Sequence, residues 1–342
     1  TGNAAVAAVT GSAAGTDLAV VPELGLVSEA WRAAGALTVP LGIVDVPLEQ
    51  RRERLTVSLG GAAGHVAIVG GPLSGKSTLA RTLVSALALT ATPLEVQFFV
   101  LDFGGGSFAG MQSHPHIAGV AMRTEAEAVR RTVAQVEAVL DAREQYFRAH
   151  GIDSIDTYRT RRAQGLVDDG YGDVFLIVDG MATLRTEYDA LEPRVQTLAA
   201  RGLSFGIHVV VTANRWLEIR AGLKDLIQTR IELRLGDPSD SEIDRKQAAN
   251  VPAGAPGRGL SSSKLHMLAA VPRIDGTRDA AHLVDGIDDM VARVAEAWTG
   301  PTGPKLRLLP ELISLDEVRT VADAGDGELR GRILLGVDEA AL

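Results

Sequence analysis

The chain has no cysteine among its 342 residues, which excludes a disulfide framework and any thiolate-bound metal. It has no apolar run of the ~18 residues that a membrane-spanning helix requires. It has no surplus of cations either. Lys and Arg number 34 against 43 Asp and Glu, for a formal net charge of −9. That balance gives no general attraction to nucleic acid or to an anionic membrane. The opening TGNAAVAAVTGSAAG lacks the charged start of a secretory leader and reads as a flexible Ala/Gly linker.

What is present is 46% hydrophobic, enough for one large α/β domain with or without appendages. Residues 1–36 are linker-like, with apolar weight only in the patch VPELGLVSEAW. From residue 37 to 298, β-rich runs alternate with amphipathic stretches. The spacing predicts strands at HVAIV (65–69), VQFFVLD (96–102), VFLIVD (174–179), HVVVTA (208–213) and RIELRL (230–235). Dense Val, Ile and Phe with little alternation is the pattern of strands buried on both faces. Helices are predicted from Lys76, from Thr124 to His150 and from Leu191 to Leu203. The fold class is therefore α/β: a mainly parallel sheet with helices on both faces. Residues 299–342 are Pro/Gly-punctuated and then polar.

GGPLSGKST, Gly70 to Thr78, carries the strongest chemical signal. It satisfies G-x-x-x-x-G-K-[ST] through Gly70, Gly75, Lys76 and Ser77, between a predicted strand and a predicted helix. Such a loop, here with Gly71, Ser74 and Thr78 as well, wraps backbone N–H groups around phosphates at a helix N-terminus. Lys76 is expected on the β- and γ-phosphates and the Ser77 hydroxyl on Mg²⁺. The cofactors implied are ATP and Mg²⁺. Asp179, closing the apolar strand VFLIVD, is the expected second magnesium partner. Asn214, just past HVVVTA, either senses the γ-phosphate or makes a turn. Asp102 in LDFGGGSF either approaches the nucleotide or caps a turn. His114 and His116 in HPH read as a loop pair rather than a metal site, because no carboxylate or cysteine cluster accompanies them. The basic stretch YRTRRAQ (158–164) reads as a solvated helix face.

The order strand, P-loop, LDFGGG, HGIDSIDTYR, DVFLIVDG, GIHVVVTANRW, LKDLIQTRIELRLGDPSDSEID and VPAGAPGRGL resembles the FtsK/SpoIIIE group of P-loop motors. Within that group it is similar to the second ATPase module of the EccC family, the motors of type VII secretion. The resemblance covers about Val39 to Gly276, with a similar LLPEL exit segment. It implies a RecA-like fold, sister ATPase modules in the same polypeptide and other secretion components as partners. It also implies a cytoplasmic location as part of a membrane-anchored motor. A C-terminal signal of an exported helical-hairpin protein is a further possible ligand, with VPELGLVSEAW the candidate to fill such a pocket from within. Leu41-Gly42-Ile43 and Asp45 are echoed by Leu335-Gly336-Val337 and Asp338, as if a second module began there. The chain is thus expected to comprise a linker (1–36), an ATPase module (37–298), and a linker with the opening of a following, truncated module (299–342).

Against the family pattern, three positions depart. Gly180 stands where active relatives carry the water-orienting glutamate. Leu203 stands where an arginine would reach a neighbour's site, with Arg201 turned about 200° away on a helix. Asn214 replaces the usual glutamine. The expectation is a module that binds Mg·ATP and hydrolyses it slowly or not at all. Gly180→Glu is expected to recover part of the activity, on the order of tenfold; the substitution is tolerable if φ there is negative, whereas a positive φ costs roughly a kilocalorie and can misdirect the side chain. A DNA-translocase role is the alternative, disfavoured by the net charge and the lack of a winged-helix segment.

Overall fold

The computed structural model describes residues 37–277, 281–308 and 314. The chain divides into two units, at Pro304 and Lys305; the sheet, its helices and the site belong to the first. The VPELGLVSEAW patch and the Leu335–Asp338 echo lie outside the described residues.

Among the described residues ten strands form one sheet, in the order β2-β1-β10-β9-β8-β3-β7-β6-β4-β5. The parallel part comprises β3 (Val66–Val69), β4 (Val96–Asp102), β5 (Ile117–Met122), β6 (Asp173–Asp179), β7 (Ile207–Ala213) and β8 (Thr229–Leu233). Its central strands have every residue buried, as the near-continuous apolar runs predict. Alternate residues feed two separate cores. Ile68, Phe98, Val100, Phe175, Ile177 and Val210 pack on one face, and Val69, Phe99, Leu101, Leu176, Val178 and Val211 on the other. The first face is covered by α1 (Lys76–Ala88), through Leu79, Leu83 and Leu87, and by α8 (Leu283–Ala297), through Ile287, Met290 and Val294. The second is covered by α2 (Ala126–His150), α4 (Met181–Glu187) and α5 (Glu192–Gly202).

Four antiparallel strands extend the sheet beyond β8: β9 (Arg258–Leu260), β10 (His266–Ala269), β1 (Thr38–Val46) and β2 (Arg51–Ser58). Apolar density did not reveal β9 and β10, which are three and four residues long. Nor did it reveal β5, IAGVAM, whose small side chains dilute the signal. Three short helices remain: α3 (Ile155–Ala163), α6 (Ala221–Lys224) and α7 (Arg245–Ala249).

The basic helix α3 is not a solvated face, and the structure corrects that expectation. Arg159 pairs with Asp173 through both nitrogens, at 2.7 and 3.0 Å, and Arg162 donates to Leu94 O at 2.6 Å. Tyr158 is buried and donates to Asp169 Oδ1 at 2.6 Å. That carboxylate also takes a two-pronged pair from Arg143 of α2, which is wholly buried. Arg143 continues the apolar stripe of α2 by helical spacing, after Val136 and Val139 and before Phe147.

His114 and His116 do sit in a loop, but both are fully buried with rings 5.1 Å apart, and His116 Nε2 lies 2.8 Å from Ala91 O. No group of three or more potential metal ligands occurs among the described residues. No helix there is long and apolar enough to cross a membrane.

Candidate nucleotide site

The site is built where β3 stops. Gly70 N donates to Ala213 O at 3.0 Å and Gly71 N to Arg234 O at 2.7 Å, so the loop is fastened to the strand ends on either side. The chain then passes Leu73, at φ +58° and 93% exposed, a bulky residue held in the left-handed region. Gly75 follows, and α1 begins at Lys76 with its first amides free toward the loop. Lys76 Nζ folds back onto Gly71 O at 2.9 Å. Burial lowers its pKa, opposed by the charges of Asp179 and Glu218. Ser74 is buried, and its hydroxyl has no hydrogen-bond partner among the described residues.

Asp179 ends β6, between Thr212 of β7 and Asp102 of β4. It is 1% exposed; Oδ1 accepts from Thr212 Oγ1 at 2.6 Å and Oδ2 from Ser107 Oγ at 3.1 Å. The Ser77 hydroxyl converges on the same place. A Cβ on Gly104 would lie 2.4 Å from Asp179 Oδ2 and 3.2 Å from Ser77 Oγ, so both oxygens border one small space that glycine keeps open. Two oxygen donors at one space suit Mg²⁺, a hard cation, and the orphan Ser74 hydroxyl beside free helix amides suits a phosphate. Thr212, Ser107 and Gly104 were unassigned from sequence. Their roles depend on a register between strands far apart in the chain.

Asp102 caps its own loop. Its oxygens accept from Gly104 N (3.1 Å), Gly106 N (3.3 Å) and Phe108 N (2.7 Å), which shapes the GGGSF turn under Asp179. Burial raises its carboxyl above the usual range, with Asp179 adding to the push and the three amides opposing it. Arg81, one turn after Ser77, feels both acids while burial lowers its pKa. Asn214 is exposed, and its backbone amide closes a turn onto Glu218 Oε2 at 2.7 Å.

Gly180 follows Asp179 with φ +117° and ψ 71° and caps the start of α4. A Cβ there would meet Phe103 Cβ at 3.1 Å. The condition on which a glutamate would fit at this position, a negative φ, does not hold. Arg201 is occupied by Asp141 (3.1 Å) and Glu144 (2.7 Å) of α2. Leu203 lies against Gly64, before β7 begins and so at the end of the sheet away from the P-loop.

Comparison with known proteins agrees with this geometry. A sequence model of the FtsK/SpoIIIE family matches residues 26–275. The ESX secretion system protein EccC of Thermomonospora curvata is 50% identical over 319 residues, which is 93% of this chain and 24% of that protein. The chain thus spans about a quarter of that relative's length. The solved cytoplasmic domain of the Thermomonospora curvata type VII secretion ATPase EccC superposes with a TM-score of 0.83 at 50% identity, over 88% of this chain and 36% of that one. A structure of ATPases 2 and 3 of the same protein, in complex with a signal sequence peptide, gives 0.85 at 49% identity, over 96% and 58%.

Proposed function

The chain belongs to the FtsK/SpoIIIE family, and on that premise we propose that it is an ATPase module of a type VII secretion motor that binds Mg·ATP and turns it over slowly or not at all. The observation that carries the reading is the pairing of Ser77 Oγ and Asp179 around one small space, one residue before a glycine at φ +117°. Lys76, the loop amides and the start of α1 would hold the phosphates, and Ser77 and Asp179 the metal. Magnesium held there would supply positive charge against the phosphate oxygens. Thr212 and Ser107 orient the Asp179 carboxylate. No side chain follows Asp179 to orient water. Nucleotide here acts as a structural or regulatory ligand, coupled to sister modules of the same polypeptide by its differential binding.

The test is steady-state phosphate release. The wild type is expected well below the rate of about 1 s⁻¹ or more typical of working enzymes; a faster rate sinks the reading. Gly180→Glu is expected to stay within about tenfold of the wild type and to lower the melting temperature. Its φ and the Phe103 contact strain any side chain, at roughly 1–3 kcal/mol. Recovery of motor-like turnover in that variant would show that the backbone relaxes and that only the carboxylate was missing.

A receptor role for an exported protein's signal is a second reading, favoured by a cavity of about 880 Å³. It lies by the starts of β4 and β6, away from the P-loop, lined by Leu37, Leu94, Tyr146, Leu166 and Val167 with Arg159 and Arg162 at its wall. A labelled C-terminal signal peptide should bind saturably and lose affinity on Leu166→Asp. Binding unchanged by that substitution removes the cavity from consideration. The DNA-translocase alternative finds little support: the arginines of α3 are engaged within the fold, and the net charge is −9.

A further inference from the structure

The nucleotide site contains a carboxylate that neither magnesium binding nor the Gly180 argument uses. Ala213, the last residue of β7, accepts from Gly70, so the strand end is fastened to the first residue of the phosphate loop. The chain turns there. Asn214 N donates to Glu218 Oε2 at 2.7 Å, and a short 3-10 turn, Trp216–Glu218, holds the Glu218 carboxylate against the residue that follows this fastened strand end. The turn is fixed from beneath. Trp216 is 1% exposed and donates through Nε1 to the buried Glu232 at 2.7 Å. From α4, Arg185 Nη1 donates to the carbonyls of Leu217 and Glu218 at 2.9 and 3.1 Å.

Among the described residues the Glu218 carboxylate accepts from Asn214 N through Oε2 and forms no ion pair, so no cation neutralises its charge. The bond to Asn214 N needs only an acceptor oxygen, which a glutamine supplies equally well. The negative charge is therefore surplus to the turn. Its field reaches the Lys76 ammonium, the group that serves the terminal phosphates.

We propose that Glu218 is a specificity-determining residue of this site, a fixed carboxylate that disfavours the third phosphate and so narrows the preference for nucleoside triphosphate over diphosphate. The inference rests on the nucleotide-binding reading and deepens it. A γ-phosphate adds charge beside Lys76, within the field of Glu218; a diphosphate leaves that end of the site to water. Repulsion is therefore felt more by the triphosphate, and because the carboxylate is pinned by a turn on a buried tryptophan, it cannot swing away freely.

Equilibrium titration of ADP and of a non-hydrolysable ATP analogue, both with Mg²⁺, into the wild type, Glu218→Gln and Lys76→Ala tests this. Glu218→Gln should tighten the triphosphate on the order of tenfold and the diphosphate several-fold less, with the difference shrinking at high salt. Equal tightening of both nucleotides, or no change in either, overturns the inference while leaving nucleotide binding intact, provided Lys76→Ala still abolishes binding. Reduced turnover in Glu218→Gln with an unchanged affinity ratio also overturns it and makes the carboxylate catalytic. Absence of binding to the wild type overturns both the inference and the reading on which it rests.

Discussion

Lys76→Ala is expected to abolish the rise in melting temperature that Mg·ATP gives the wild type. A ligand that binds only the folded state stabilises it by about 2.7 kcal/mol at a hundred times its dissociation constant. In a domain of this size each kcal/mol moves the midpoint by roughly 2–4 °C, so the wild-type shift should be several degrees. Lys76 is the one loop cation, and burial makes its free charge costly until phosphate arrives. Its removal should weaken binding by at least ~100-fold, because a charge-assisted contact to phosphate is lost in a partly dry site. The unliganded variant should melt close to the wild type, since among the described residues the side chain's one hydrogen bond is to Gly71 O. A thermal scan with and without millimolar Mg·ATP decides the matter. No shift in the wild type, or a full shift in the variant, defeats the nucleotide-binding assignment.

Arg143→Met is expected to cost the fold about 3–5 kcal/mol, the scale for breaking one partner of a buried ion pair. The guanidinium has no solvent exposure. It makes two bonds to Asp169 and donates to the carbonyls of Gly172 (3.0 Å), Phe205 (2.8 Å) and Tyr171 (2.8 Å). Methionine fills much of the volume but leaves three carbonyls and a carboxylate without these donors. Burial would push the Asp169 carboxyl up, yet Arg143 and Tyr158 hold it below the usual range; without the arginine that support goes. Gly172 lies just before β6, and Phe205 is two residues before β7, so Arg143 ties together the starts of the strands that end in Asp179 and Ala213. Chemical denaturation should show a large fall in midpoint for Arg143→Met and partial recovery in Arg143→Met/Asp169→Leu, which removes the stranded charge. A loss under about 1 kcal/mol would mean that water reaches and satisfies these groups.

The parts of the site that are contiguous in sequence were legible there. GGPLSGKST specifies its own loop and helix start, and VFLIVD, buried along its whole length, could only be a central strand ending in an acid. The groups that complete the site come from elsewhere in the chain. Thr212, Ser107 and Gly104 meet Asp179 only because β7, β6 and β4 lie side by side in a given register. Glu218 was hidden for a similar reason: its position depends on Trp216 finding Glu232 across the sheet. Arg143 was passed over because a charged residue on an amphipathic helix is ordinarily assigned to solvent. The arginines of α3 were misread for the same reason. For Arg143 the signal was there, since it sits at helical spacing among buried neighbours; for Arg159 it was an aspartate, Asp173, a short way along the chain.

Among the described residues the sheet of ten strands does not close on itself, and at one margin it ends in β2. The unpaired amides and carbonyls of such a margin form a template that another strand can extend. Here the outer half of β2 reads Arg51-Arg52-Glu53-Arg54, all four exposed, while Leu55 and Val57 alone turn inward. A second copy approaching margin to margin would bring three arginines and a glutamate of each copy together and strip their water before the first ladder bond formed. This composition protects against fibril-like stacking and against strand exchange between similar modules, hazards that grow when several such sheets are held close together.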